Sequence, residues 1–170
     1  MKWITHEAVA IGSAFLLGMP LPALAGVALG SVLPDMLDQG MARLLLLRKQ
    51  AFRKLHRGAT HWFGWWMAAL IIGLGQPDQS RLVSFLTGIA YGSLIHVALD
   101  LFTVGGVPIA PWSKRHMISL NLCKTGGLRE YVFLGAVSAA FLLVAWDDLA
   151  LVAAEARRVG WYLRFLYGFI

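Results

Sequence analysis

The sequence predicts an all-α fold: a polytopic membrane helix bundle of about five membrane helices, the first two short and paired as a hairpin, with interfacial amphipathic helices beside it. Three observations predict this. Of 170 residues, 58% are hydrophobic and 14% charged, and the mean hydropathy of +0.66 is too high for an ordinary soluble domain. The apolar residues form segments separated by MPLP (Met19 to Pro22), GSVLPDMLDQG (Gly30 to Gly40), GQPDQS (Gly75 to Ser80) and VGGVPIAP (Val104 to Pro111), each rich in helix breakers. The basic residues behind the formal charge of +6 lie between these segments, where they act as topological signals, so no nucleic-acid partner is expected. One cysteine, Cys123, excludes an intramolecular disulfide and a cysteine-based zinc cluster. With no repeat and no linker, residues 1–170 read as a single integral membrane domain.

The elements follow in order. In Trp3 to Leu33, the two prolines of MPLP remove backbone donors and push their preceding residues out of the α region, giving a turn between two short helices; one kinked span is the alternative. PALAG (Pro22 to Gly26) looks like a signal-peptidase site, but the leader's n-region would carry His6 and Glu7, so residues 1–25 are expected in the mature protein. Pro34 is expected to stop the second helix, with Asp35 and Asp38 emerging at its end. Arg43 to Arg57 carries six of the fifteen basic residues around LLLL and is expected to lie as an amphipathic helix on the membrane surface. Thr60 is placed to cap a helix running from His61 through Ile72, with Trp62, Trp65 and Trp66 as interfacial anchors. Arg81 to Thr103 is the next span, followed by a loop over Pro111 to Glu130 and a span from Tyr131 to Trp146. Asp147 and Asp148 read as solvated loop charges, and Glu155 to Ile170, with three arginines among aromatics, as an interfacial helix on an undetermined side.

The chain is organised around GIAYGSLIHVALDLFT (Gly88 to Thr103). His96 and Asp100 stand four residues apart, so on a helix they face the same way and make a two-point clamp. Titratable groups within a membrane-length segment cost about 3 kcal/mol each unless paired or coordinated. If the first two helices go out and back, Lys2 and the segments 39–60 and 104–130 share one side. That side holds eleven of the fifteen basic residues and is cytoplasmic by the positive-inside rule. His6, Asp35, His61, His96 and Asp100 then fall on that face, with His116 in the adjoining loop.

Each candidate has a chemical and a structural reading. His96 and Asp100 are metal ligands or a pair joining two helices. Asp35 and Asp38 are a ligand and a general base, or carboxylates of a solvated turn. His56 and His61, five apart, do not share a helix face, but Gly58 permits a loop that turns both inward. Arg57 neutralises a substrate oxygen or only marks topology; Glu130 supports the site from behind or is the acidic first turn of its helix. A mixed imidazole and carboxylate set suits a divalent metal, zinc first, with manganese or iron as alternatives. Such an ion activates water at neutral pH without a serine or cysteine nucleophile.

THEAVAIG, GSVLPDMLD, HRGATHW, GSLIHVALDLFT with GGVPIAP, and PWSKRH with KTGGLRE resemble the successive blocks of the bacterial membrane-bound metal-dependent hydrolase family, in order from about residue 5 to residue 131. The resemblance implies a multi-helix inner-membrane protein with a metal site drawn from His6, Asp35, His56, His61, His96 and Asp100. One departure is Trp62, where the family has a small polar residue, which is expected to narrow access. The C-terminal 40 residues carry no matching motif. The expected function is hydrolysis of an ester or phosphoester, on a lipid or lipid-linked substrate, at the cytoplasmic head-group level of the bacterial inner membrane. Asp38, His56, Arg57 and Glu130 are the expected catalytic residues, and Arg57, Lys114 and Arg115 the candidates to hold a phosphate. Two rivals stand beside it: an ion or proton transporter working through His96 and Asp100, and a non-catalytic protein stapled by metal whose 43–57 segment binds a partner or anionic lipid.

Overall fold

Prolines and glycines decide where the helices begin and end. The computed structural model describes residues 1–46, 48, 52 and 56–146. Helix α1 (Trp3–Leu16) runs into a turn in which Gly18 takes a φ of 66°, and α2 (Leu21–Gly30) starts with Pro22 in its first turn, where the missing N–H has no helical partner to lose. The Trp3 indole, at the start of α1, donates to Asp35 Oδ2 just beyond the end of α2, at 2.9 Å. Such a contact requires α1 and α2 to run out and back, so the break at MPLP is a hairpin turn.

Pro34 acts opposite to the expectation. It does not stop a helix; it occupies the first turn of α3 (Leu33–Leu44), where proline is tolerated, and the chain bends by 47° between α2 and α3. Asp35 and Asp38 therefore lie in the opening turns of a new helix rather than in a solvated turn. Pro34 and Asp38 are buried on its inner face, while Met36, Leu37, Met41 and Leu44 are exposed on its outer face.

A 3-10 turn over Ala59–His61 leads into α4 (Phe63–Leu74). The expected helix start at His61 is corrected to Phe63, because the Thr60 hydroxyl bonds Asp38 Oδ1 at 2.6 Å instead of capping a backbone N–H. Helix α5 (Arg81–Leu101) is capped by Ser80, whose hydroxyl accepts from the Val83 N–H at 3.3 Å. Where a loop was expected, β1 (Val107–Ala110) and β2 (Ser113–Ile118) pair as an antiparallel hairpin, so the fold is mostly helical with a small sheet. Helix α6 (Leu128–Val144) follows. The amphipathic helix expected over 43–57 falls largely outside the described residues, as do Asp147, Asp148 and the C-terminal 155–170 segment and, as side chains, Lys114 and Arg115.

By length and composition α5 can cross a membrane, and the bent α2–α3 pair can if it counts as one span. At 14, 12 and 17 residues, α1, α4 and α6 reach about 21, 18 and 26 Å, short of a hydrocarbon core of about 30 Å. Length therefore does not by itself support five membrane helices among the described residues.

The tightest seam lies between α2 and α5. Gly26 and Gly30 on α2 face Gly88 and Gly92 on α5, each pair four apart. A Cβ added at any of them would overlap a backbone carbonyl across the seam: Phe85 or Ile89 from the α2 side, Ala23 or Val27 from the α5 side. Only glycine lets two backbones approach this closely, the small-xxx-small packing of membrane helices. The seam ends in polar contacts, with the Ser93 hydroxyl donating to the Gly30 carbonyl at 3.0 Å.

Gly40, on the exposed face of α3, has open space around it. Gly92→Ala is expected to lower stability by about 1 to 3 kcal/mol through overpacking, whereas Gly40→Ala should be neutral or raise it by up to about 1 kcal/mol through helix propensity. Thermal unfolding of the detergent-purified variants tests the contrast.

Candidate metal centre

Four parts of the chain bring their polar side chains to one end of the bundle. Helix α5 contributes His96 and Asp100, α1 contributes His6, α3 contributes Asp35 and Asp38, and the turn before α4 contributes His56, Arg57, Thr60 and His61. His6, His61 and His96 have no exposed surface, and Asp38 and Asp100 are almost fully buried. So many titratable groups withdrawn from water are costly unless paired or coordinated.

The hydrogen bonds assign the imidazole tautomers. Ser31 stands at the C-terminal end of α2, where a carbonyl lacks an intrahelical partner. Its oxygen is 2.6 Å from His96 Nδ1, so Nδ1 carries the proton and Nε2 keeps its lone pair. In the 56–61 turn the Thr60 hydroxyl donates to Asp38 Oδ1, leaving its oxygen to accept from His61 Nδ1 at 3.0 Å. His61 Nε2 is then also a lone pair. The two bare nitrogens face each other at 3.3 Å. His6 stacks on His96 with centroids 3.9 Å apart, and neither of its ring nitrogens has a hydrogen-bond partner.

Two groups of potential ligand atoms result, His6 with His96 and Asp100, and Asp35 with His61 and His96; within each group the atoms lie within 4.8 Å of one another. Asp100 joins them: Oδ1 is 3.6 Å from His6 Nε2, and Oδ2 is 3.6 Å from His61 Nε2 and 3.9 Å from His96 Nε2. Asp35 Oδ1 lies 3.4 Å from His61 Nε2 and 3.7 Å from His96 Nε2. Donors bound to one ion at about 2.1 Å stand roughly 3.0 to 3.5 Å apart. The observed spacings are close to that, and the orphaned His6 nitrogens and opposed lone pairs are what a divalent cation would satisfy. The residues present fit a metal. His96 Nε2 belongs to both groups and one nitrogen holds one ion, so the groups are overlapping seats rather than independent ones.

Asp38 is placed as an organiser and not as a free base. Its Oδ2 accepts the Arg57 backbone N–H at 2.8 Å and lies 3.0 Å from His56 Nδ1 and 3.5 Å from His61 Nδ1, while Oδ1 holds Thr60. One buried carboxylate thus folds the whole 56–61 turn. Arg57 takes a φ of 59°, a left-handed conformation that costs a non-glycine residue about 1 kcal/mol or more. It is held there by the bond to Asp38 and by its guanidinium, which donates to Asp100 Oδ1 at 2.9 Å and Thr103 Oγ1 at 2.8 Å. The Met1 ammonium also reaches Asp100 Oδ1 at 2.8 Å. With both ends committed, Arg57 balances Asp100 in this arrangement instead of reaching outward for a substrate. His56 is brought inward, as Gly58 allowed, and is the most exposed of the imidazoles here at 34%, but it lies in neither ligand group.

Glu130 stands apart from the cluster. Its carboxylate accepts from the Lys2 and Gly126 backbone N–H groups and the Thr5 hydroxyl, pinning the start of α1 to that of α6. Lys2 itself bonds Tyr131, and the phenol, followed by Glu130, holds its ammonium above the usual pKa. His116 is exposed on β2, away from the cluster, and burial raises the pKa of the Cys123 thiol. Trp62 turns aside from the site: its indole donates to the Ile109 carbonyl at 2.8 Å and ties the 56–62 turn to the hairpin, so the expected narrowing of access is not its role. Sequence reasoning missed Trp3, Ser31 and Thr103. Only Thr60, inside HRGATH, carried a local signal as a hydroxyl beside two histidines.

Asp38→Asn replaces an acceptor of several bonds by an amide that must also donate, and is expected to destabilise by about 3 kcal/mol, as does breaking a buried charged pair. Asp78→Asn, in the exposed turn before α5, should be silent. Thermal unfolding in detergent compares them.

No curated protein and no solved structure matches the chain. A family model does, over residues 1–168. The converging titratable end of an apolar helical protein is thus found in a chain that belongs to the YdjM inner membrane protein family.

Proposed function

We propose that this inner-membrane protein is a metal-dependent hydrolase of an ester or phosphoester, acting on a lipid or lipid-linked substrate at the cytoplasmic head-group level. His6, Asp35, His61, His96 and Asp100 are the ligands, with zinc first and manganese or iron as alternatives, because the donors are imidazole and carboxylate without thiolate. The observation that carries the reading is the pair of imidazole lone pairs at 3.3 Å beside a third, unpartnered imidazole. Without a cation or a proton between them these nitrogens repel.

Bound there, a divalent ion supplies Lewis acidity, lowering the pKa of water and polarising an ester or phosphoester oxygen. The chain's own residues do the rest. Ser31 and Thr60 hold His96 and His61 in the tautomer that presents Nε2. Arg57 offsets the charge of Asp100 and keeps its Oδ1 turned away from His61. His56, oriented through Nδ1 by Asp38 at the accessible edge, is the group placed to pass a proton to a leaving oxygen. The multi-pass arrangement with this face cytoplasmic is supported by the sequence, whose positive-inside reading assigns eleven of the fifteen basic residues to the side expected to hold the site. A transporter would spread its ionisable residues through the depth of the bundle, whereas His6 of α1, Asp35 of α3 and His96 and Asp100 of α5 gather at one end.

Elemental mass spectrometry on protein purified in detergent without chelator or metal-affinity resin tests the reading. Wild type is expected to carry near-stoichiometric zinc or manganese, and folded His96→Ala should lose it by at least about tenfold. A metal-free wild type that also resists reconstitution would remove the hydrolase mechanism.

A further inference from the structure

We propose that Trp3 is the gate and specificity-determining residue of this site, admitting an amphiphile whose head reaches the ligands while its apolar part stays between α1 and α3. The inference rests on the metal-site reading above. Of the five ligands, four are sealed: His6, His61, His96 and Asp100 have side-chain exposures of 2% or less. Asp35 alone is accessible, at 14%. Asp35 is therefore the ligand that an incoming molecule meets at the surface in this conformation, and the exposed side chain that donates to it is Trp3.

The Trp3 indole N–H donates to Asp35 Oδ2 at 2.9 Å, while Oδ1 of the same carboxylate turns to His61 and His96. The bond separates the oxygens, one presented to the ligand cluster and one held by the indole. A tryptophan that served only as an interfacial anchor would not be tied to a carboxylate of the buried cluster. Trp3 is 44% exposed, and its chain neighbour Ile4 and the residues after Asp35, Met36 and Leu37, are exposed as well. Phe52 stacks on His56, which is also accessible, with centroids 5.3 Å apart. The route is thus bordered by aromatic and aliphatic surface, with charge at its inner end. Lys2, just before α1, and Glu7, one turn after Trp3, are exposed and supply the polar level at which a head group sits. A small soluble anion gains nothing from such a border, whereas a molecule with acyl or prenyl carbon next to its ester or phosphoester buries that carbon against it.

The test uses full-length protein loaded with cobalt(II), whose visible absorption reports the coordination sphere, titrated separately with dihexanoylphosphatidic acid and with inorganic phosphate. In wild type the lipid is expected to reach half-saturation at a concentration roughly tenfold or more below that of phosphate. Trp3→Ala should bring that ratio towards one chiefly by weakening the lipid midpoint, and should shift the cobalt bands as well, because Asp35 Oδ2 loses its donor. Trp3→Phe keeps the ring but not the N–H, and should retain the ratio while shifting the cobalt bands, because Asp35 Oδ2 is released. A cobalt spectrum with a lipid-to-phosphate ratio unmoved by Trp3→Ala overturns the gate alone. Absence of any cobalt spectrum from folded wild type overturns the metal reading and the gate with it.

Discussion

Everything at the polar end of this protein depends on how closely α2 and α5 approach. The glycines at 26, 30, 88 and 92 leave no side chain between the two backbones. That approach carries the last carbonyl of α2, at Ser31, to within hydrogen-bonding distance of His96. A residue one methyl larger in the seam would move α5 outward and break the contact that sets the tautomer of the central imidazole. Helix packing and ligand chemistry are thus one constraint: the backbone distance decides which nitrogen of His96 is bare. The same short distance explains the long apolar α5 with small residues on one face, since a helix that must touch another backbone along several turns can carry bulk only on its outer side.

The distribution of polarity is inverted relative to a soluble domain. Buried positions include Thr5, Ser31, Ser84, Thr87 and Ser93 as well as the three histidines and the carboxylates, while leucine, isoleucine, methionine and tryptophan occupy much of the exposed surface. Helix α3 shows the inversion within one element, with Asp38 inward and Met36, Leu37, Met41 and Leu44 outward. In water such a helix would turn over. Against hydrocarbon or the head-group boundary it is stable, because the polar groups are satisfied internally and the apolar face meets a medium as apolar as itself. This agrees with membership of an inner-membrane family and explains how helices too short to span still fit: their outer faces are apolar whatever their length.

The polar residues of the site were legible in the sequence because a membrane segment makes them conspicuous. His96 and Asp100 stand out against a run of aliphatics, and the out-and-back topology read from MPLP placed His6 and Asp35 beside them, where the structure brings them. Less legible was anything set by a tertiary hydrogen bond. Pro34 can end one helix or open the next, and only the 47° bend between α2 and α3 distinguishes the two. Thr60 is a good N-cap by type, but a buried Asp38 competes for its hydroxyl and wins, since an unpaired carboxylate costs more than an uncapped helix. The β1–β2 hairpin was hidden because VPIA and SKRHMI are short and one holds a proline. Glu130 looked like a catalytic carboxylate by its chemistry, yet the backbone donors of Lys2 and Gly126 engage it, and no local pattern announces a contact 128 residues away.

The electrostatics of the cluster argue that its turn and its candidate ligands fold together. Asp35, Asp38 and Asp100 bring three carboxylates into a small volume, and among the described residues Arg57 and the Met1 ammonium both pair with Asp100 Oδ1. Among the described residues, the hydrogen bonds to Asp38 come from His56, Arg57 and Thr60 in the 56–61 turn. If that turn opens, the carboxylate loses several donors at once in a site that water reaches poorly, so the turn is held by the cost of leaving Asp38 bare. Opening the turn also withdraws His61, one of the two opposed imidazoles. Positive charge between His61 and His96 would relieve the opposition of their nitrogens and so add to the hold of Asp38 on the turn. The organising carboxylate and the candidate ligands therefore meet in one turn, whose backbone is left-handed at Arg57.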